Sequence, residues 1–234
     1  MAQITERVLI TGASRGIGRA IAGTLAAEHR ELIITGRDQE ALVEVFTELE
    51  DACGKVTILT HDLGDPDDVD ELVAKIGKEP LHLLVNNAGI AIVKPLEDIT
   101  YDDWQDTLDI NVTAPFLLTQ KLVPLMPEGA SIVNILSVAA KTVFPGWSSY
   151  IMSKYAQRGF AEAIREELRP KGIRVINVYP AATNTEIWED VAGDFDGDKM
   201  MSPDEVAAAV MFALERPANI LVDDISLGRL EGNQ

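Results

Sequence analysis

Seven short apolar runs, separated by longer stretches of helical periodicity, constrain this chain more than any other feature. The runs fall at residues 8–11, 32–35, 56–59, 81–85, 131–136, 175–178 and 220–222. They are β-branched or leucine-rich and flanked by polar or turn residues, the pattern of strands buried on both faces. Between them, residues 18–28, 39–50, 67–75, 102–122, 149–168 and 203–214 carry helical patterns. Several helix starts are marked, by Asp65-Pro66, by Thr100 before two acids, and by Ser202-Pro203 followed by Asp204 and Glu205. Strands alternating with helices imply βαβ units, whose parallel sheet must be covered on both faces. Right-handed crossovers then favour a doubly wound α/β arrangement of about seven strands.

No linker rich in Pro, Gly or Ser divides the 234 residues and no internal repeat appears, so one domain spanning 1–234 is expected. Residues 184–201, with Gly193, Gly197 and several acids, read as a loop or as short helices over a cleft. Apolar residues make up 47% of the chain, ample for a core. Thirty-eight acids oppose 20 bases, a net charge of −18. Such a surface repels nucleic-acid phosphates and anionic membranes, so neither is expected as a partner. Cys53 is the single cysteine, which excludes an intramolecular disulfide and fits a reducing compartment. Residues 1–7 carry no apolar signal-peptide core, and no stretch approaches the ~20 apolar residues that span a bilayer. The expected location is the cytoplasm.

The first strand runs into Thr11-Gly12-Ala13-Ser14-Arg15-Gly16-Ile17-Gly18, and a helix follows. A glycine-rich turn in that context brings backbone N–H groups, and the positive end of a helix, against a pyrophosphate. Gly12 permits the turn, Gly16 allows close approach, and Gly18 lets helix pack on strand. The spacing is G-x-x-x-G-x-G and not the G-x-G-x-x-G fingerprint. The second strand ends Ile34-Thr35-Gly36-Arg37-Asp38. An NAD site places an acid near this point to hold the ribose 2′-hydroxyl. Here Gly36 stands where that acid is sought, and Arg37 follows with a guanidinium suited to a 2′-phosphate. Arg15 is within reach of the same phosphate. NADP(H) is therefore the preferred cofactor, with NAD(H) left open because Asp38 comes next.

These residues, together with Asn86-Asn87-Ala88-Gly89, Asn111, Ser137, Tyr150 and Lys154 in this order and spacing, resemble the short-chain dehydrogenase/reductase family in its compact single-domain form. The match covers nearly the whole chain. It implies a Rossmann-type sheet of seven parallel strands with helices on both faces. It also implies that Asp62 and Leu63 border the adenine and that Asn87, Ala88 and Gly89 support the cofactor. Thr185 is implied to contact the nicotinamide carboxamide, with Pro180, Thr183 and Asn184 beside it. The family's glycine after the proline is Ala181 here, which puts the local backbone geometry in question.

Tyr150 and Lys154 are four residues apart in a helical stretch and so share a face. An ammonium beside a phenol favours phenolate and lowers its pKa from ~10, the change a general acid/base needs. Ser137, at a strand end, is placed to hydrogen-bond a substrate oxygen as charge develops on it. The resemblance implies that Lys154 binds the nicotinamide ribose and that Asn111 loosens its helix and holds a water linking Lys154 to solvent. The catalytic set expected is Asn111, Ser137, Tyr150 and Lys154. Substrate contacts are expected from Ser137, Val143, Trp147, Tyr150, Ile187 and Trp188, with Phe144 nearby, within 139–147 and 187–195. These apolar side chains suit an aromatic or aliphatic ketone.

The reading is an NADP(H)-dependent oxidoreductase that interconverts an alcohol with a ketone or aldehyde, working as a carbonyl reductase. A non-catalytic NADP-binding sensor on the same fold is the alternative. His29, His61 and His82 are scattered with no Cys or acid at metal-ligand spacing, so no metal is expected. No complete G-x-S-x-G elbow supports a hydrolase, and the chain is short for a nucleotide-sugar epimerase. Helices 102–122 and 149–168 are apolar on more than one side, and the resemblance makes them the contact of a homodimer or homotetramer.

Overall fold

The computed structural model describes residues 5–27, 29–189, 191, 196–217 and 219–230. Glu28, Gly193 and Phe195, which fell in an expected helix and in the expected substrate loop, lie outside the described residues. Seven strands form one parallel sheet: Glu6–Thr11 (β1), Arg30–Gly36 (β2), Lys55–Thr60 (β3), Leu83–Asn86 (β4), Ser131–Ile135 (β5), Arg174–Pro180 (β6) and Asp224–Leu227 (β7). Their order across the sheet is β3-β2-β1-β4-β5-β6-β7. The chain starts at the centre, winds outward to β3, returns past β1 and winds out the other way. Ligands of such sheets bind where the winding reverses, beyond the carboxyl ends of β1 and β4.

Strand alternation divides the core into two layers. Val8, Ile10, Leu32, Ile34, Val85 and Val133 point to one face. There they meet helices α1 (Gly16–Leu25), α2 (Gln39–Leu49) and α7 (Pro203–Leu214). Leu9, Ile33, Leu84, Ile132 and Val175 point to the other. That face is covered by α3 (Pro66–Ile76), α5 (Ala114–Leu122) and α6 (Ser148–Leu168). α4 (Tyr101–Leu108) precedes α5. No helix among the described residues is long and apolar enough to cross a membrane.

Two elements depart from the sequence pattern. Residues 220–222 are not a strand: Ile220 is exposed, while Leu221 and Val222 pack against the core edge. The seventh strand starts two residues later and pairs with β6 from Asn177↔Asp224 to Pro180↔Leu227. A strand opening on aspartate escapes a hydrophobic pattern. Its carboxylate is satisfied laterally, by Arg165 Nη2 at 2.9 Å and the Tyr179 hydroxyl at 3.2 Å. The helix expected over 102–122 is broken by a π-helical turn, Asp109–Thr113. Pro115 has no N–H to return to the carbonyl of Asn111, so the regular ladder fails there. The fourth strand also begins at Leu83 rather than at residue 81.

A row of buried amides crosses the sheet in register. Asn86 donates to Asn134 at 3.0 Å, and Asn134 donates to Asn177 at 3.1 Å. One slip of register would leave each amide facing aliphatic neighbours without a partner, so the row pins β4, β5 and β6.

Candidate active site

The carboxyl ends of the central strands open into a cavity of about 630 Å³. The turn after β1 forms one end. Gly12 and Gly16 have φ of 62° and 53°, the left-handed region that favours glycine. A Cβ on Gly12 would lie 2.9 Å from Ala88 Cα, and one on Gly16 would lie 2.9 Å from Thr185 Cγ2. The Asn87 side-chain amide holds this turn, donating to the carbonyls of Thr11 and Gly12 at 2.9 and 3.0 Å. Gly18 does not face the cavity. It packs, with a Cβ position only 2.1 Å from the Gly12 carbonyl oxygen, so its place is under the turn rather than against a ligand.

α1 begins at Gly16, two residues earlier than expected, after Arg15. No side chain caps it and no acid lies in its first turn. By contrast α2, α3, α4 and α7 are capped by Asp38, Asp65, Thr100 and Ser202. The first N–H groups of α1 are thus left facing the cavity with the helix's partial positive charge, beside Ser14, Arg15 and Ile17. This end fits a diphosphate.

At the end of β2, Gly36 and Arg37 line the same cavity. Arg37 is well exposed, its Nη1 3.9 Å from Asp62 Oδ2. Asp38 accepts from the Ala41 N–H at 3.0 Å. Its carboxylate is engaged by α2. Asp62 and Leu63 border this end as expected, and His61, not anticipated, joins them. The histidines show no metal-ligand spacing in sequence, yet the fold brings two acids to His61. His61 Nδ1 lies 3.7 Å from Asp68 and 3.9 Å from Glu71, because one turn of α3 folds over it. Lys75 Nζ is 3.3 Å from His61 Nε2 and 3.3 Å from Glu71, so the cluster carries its own cation.

Ser137 after β5, and Tyr150 and Lys154 on α6, meet at the cavity's middle with Ala88 and Gly89 opposite. Tyr150 and Lys154 are 9% and 3% exposed. Lys154 Nζ lies 5.6 Å from the Tyr150 ring centroid and donates to the Ile135 carbonyl at 3.3 Å. Burial pushes the Tyr150 phenol up to about 12, while its hydrogen bond with Ser137 pulls the other way. Burial alone pushes the Lys154 ammonium down to about 8. The expected lowering of the tyrosine by the lysine is therefore not met. Both groups are desolvated, which disfavours the charged form of each.

Asn111 is fully buried and does not reach the cavity. It ties the π-helical turn to its surroundings: its Oδ1 accepts from the Ile90 N–H, and its Nδ2 donates to the Ile90 carbonyl and Ser153 Oγ, all at 2.9 Å. A Cβ on Gly89 would sit 3.2 Å from Asn111 Oδ1 and 3.6 Å from Lys154 Nζ, so the absent side chain leaves open the space between them.

Pro180, Ala181, Thr183 and Thr185 line the wall after β6. Ala181 directly follows β6 and donates its N–H to the Leu227 carbonyl at 2.9 Å, and no described non-glycine residue has positive φ. The described residues of segment 184–201 include two short 3₁₀ helices, Glu186–Trp188 and Gly197–Lys199. Trp147, Ile187 and Trp188 line the far end with Phe144. Val143 does not: it is 70% exposed, in the loop that leads to Phe144. Ile90, Ala91 and Glu186 also line the cavity, and nothing in their local sequence marks them.

Comparison with known proteins agrees with this geometry. The short chain dehydrogenase family model matches residues 6–194. The chain is 35% identical to a sepiapterin reductase of Chlorobaculum tepidum, over 97% of each. It is 36% identical to a 3beta-hydroxysteroid dehydrogenase of Mediterraneibacter gnavus, over 83% of this chain and 72% of that one. Among solved structures, a short chain dehydrogenase from Burkholderia cenocepacia in complex with NADP superposes with a TM-score of 0.87 at 32% identity, over 97% and 98% of the two chains. From its first strand to the far wall of its cavity, the chain belongs to the short chain dehydrogenase family of oxidoreductases.

Proposed function

We propose that this protein is an NADP(H)-dependent carbonyl reductase, interconverting a ketone or aldehyde with its alcohol. One observation carries the reading: Tyr150 and Lys154, one helical turn apart, face Ser137 in the same cavity that the uncapped end of α1 enters. The glycine turn and α1 hold the diphosphate. Arg37 and Arg15 receive the 2′-phosphate, Asp62 and Leu63 flank the adenine, and Pro180, Thr183 and Thr185 support the nicotinamide. The NADP bound in the B. cenocepacia relative is consistent with that preference. NADP(H) supplies or accepts the hydride.

The chain's own groups manage the oxygen. The Tyr150 phenol, kept protonated by burial, donates its proton to the substrate oxygen on reduction. Ser137 Oγ already accepts from the Ala139 N–H at 3.1 Å, which aims its own hydrogen outward, toward the phenol or the developing oxyanion. Lys154, desolvated, stabilises the phenolate left behind and holds the ribose. Asn111 acts through Ile90 and the space beside Gly89, where a water would connect Lys154 to solvent.

We further propose a homodimer or homotetramer in the cytoplasm. Trp104, Phe116 and Tyr155 leave apolar surface exposed on α4–α6, the face expected to pair.

The test is calorimetric titration with NADPH and NADH, followed by turnover of a ketone and aldehyde panel. NADPH bound at least ~10-fold more tightly, a gap of about 1.4 kcal/mol, with turnover of at least one carbonyl, is expected. NADPH binding with no turnover across the panel would instead favour a nucleotide sensor.

A further inference from the structure

Around Tyr150 lies a small apolar cluster that belongs to neither face of the sheet. Ala91, Ala139 and Val191 are buried in it, with Trp147 and Trp188 packed alongside. The rings are arranged edge to face. Trp147 meets Tyr150 at 5.6 Å and 67°, and meets Trp188 at 5.8 Å and 65°.

Hydrogen bonds hold the Trp188 indole and the backbone before Trp147. The Trp188 N–H donates to the Thr183 carbonyl at 2.8 Å, which fixes its plane. Trp147 follows Gly146, whose φ of 81° turns the chain and whose carbonyl accepts from the Lys94 N–H at 3.0 Å. Two large side chains, fixed in this way at the edge of a cleft, form a preorganised apolar wall.

Charge narrows the choice. Among the described residues, the Lys and Arg side chains lining the cavity are Arg15 and Arg37 at its phosphate end and Lys154 beside Tyr150. None stands with the tryptophans. Glu186, on the same short helix as Trp188, sends its Oε2 toward Gly16 at the phosphate end and not toward the indoles. A carboxylate or phosphate on the substrate would lose its hydration there and find no cation from the described cavity-lining residues beside the indoles.

We propose that this pocket takes an uncharged ketone whose carbonyl adjoins a flat aromatic or fused ring, and that Trp147 and Trp188 select it. This rests on Tyr150 and Ser137 being the groups that meet the substrate oxygen. With the carbonyl at Tyr150, the ring lies against the edges and faces of the indoles. A short aliphatic ketone leaves that wall uncovered.

The experiment is calorimetric binding of tetralone, a tetralone carboxylate and butanone to the protein saturated with NADP⁺, where no reduction takes place. Tetralone is expected to bind at least ~10-fold more tightly than either comparison. Trp188→Ala and Trp147→Ala should each weaken tetralone about tenfold, Trp188→Phe less, and NADP⁺ affinity reports that the variants are folded. Carboxylate binding as tight as tetralone, or butanone binding as tight, overturns the proposal, and so do tryptophan variants that leave tetralone affinity unchanged. Because the wild-type comparison stands by itself, a variant that fails to fold does not rescue it. Tetralone bound in this pattern but never reduced by NADPH supports the pocket and sinks the reductase reading, so the two failures are distinct.

Discussion

The carboxylate of Asp38 accepts a hydrogen bond from the backbone N–H of Ala41, 3.0 Å away, and this bond decides how the end of β2 meets a dinucleotide. An acid free at this point would hold a ribose hydroxyl and repel a phosphate. Engaged as the cap of α2, it leaves Arg37 to face the cavity. Arg37→Ala should weaken NADPH by about 10–100-fold, the cost of losing a charged hydrogen bond, and leave NADH nearly unchanged. Asp38→Ala should lower stability by about 1 kcal/mol through the lost cap and preserve the NADPH-to-NADH ratio. Calorimetric titrations and thermal unfolding separate the two.

Glu186 Oε2 is buried without a partner beside Gly16, 3.5 Å from where a Cβ there would stand. Its charge opposes a diphosphate at the end of α1. Glu186→Gln should tighten NADPH by about fivefold, the scale of two unit charges at ~4 Å in a watery site. Unchanged or weaker binding would show that the carboxylate does not face the phosphates.

The Lys154 and Tyr150 shifts each predict a contribution to stability that depends on pH. Lys154 sits at about 8 folded, below its unfolded value of ~10.4. The unfolded chain therefore binds more protons between these values, and stability rises with pH from about 8 to 10.4, by roughly 3 kcal/mol. Tyr150 sits at about 12 folded, above its unfolded value of ~10. Its contribution is fully present below pH ~10 and is lost as pH rises to 12. Lys154→Met should flatten the rise, and Tyr150→Phe the fall, in urea unfolding measured from pH 7 to 11.

Asn111→Ala removes three hydrogen bonds that tie the π-helical turn to Ile90 and Ser153. Leaving those buried groups unpaired should cost about 1–3 kcal/mol. If Asn111 also connects Lys154 to solvent, kcat falls while the KM for the ketone changes little, and the pH profile of kcat moves. A variant that loses stability and keeps its profile would confine Asn111 to a structural role.

The sheet was legible because its inner strands are buried on both faces, and such runs declare themselves. β7 was not, since Asp224 opens the strand and its partners Arg165 and Tyr179 come from elsewhere in the chain. The broken helix was half legible: Pro115 announces a lost hydrogen bond, but only the fold shows that Asn111 takes up Ile90 in exchange. Glycines 12 and 16 could be read because a left-handed turn leaves few residue choices. Val143 was misread because an apolar residue in a loop carries no direction, and Glu186 was missed because a surface-type residue gains meaning only beside Gly16. Burial raises Tyr150 and lowers Lys154, an effect that their spacing along the helix does not carry.

The most direct measurement is single-turnover oxidation of bound NADPH by a reducible ketone, in wild type and Tyr150→Phe, with NADPH affinity measured in both. The account predicts a fall of at least ~100-fold in the mutant, the range of a lost general acid, at nearly unchanged NADPH affinity. A mutant that turns over within about threefold of wild type, a difference of well under 1.4 kcal/mol in barrier, would contradict the assignment of the proton to Tyr150.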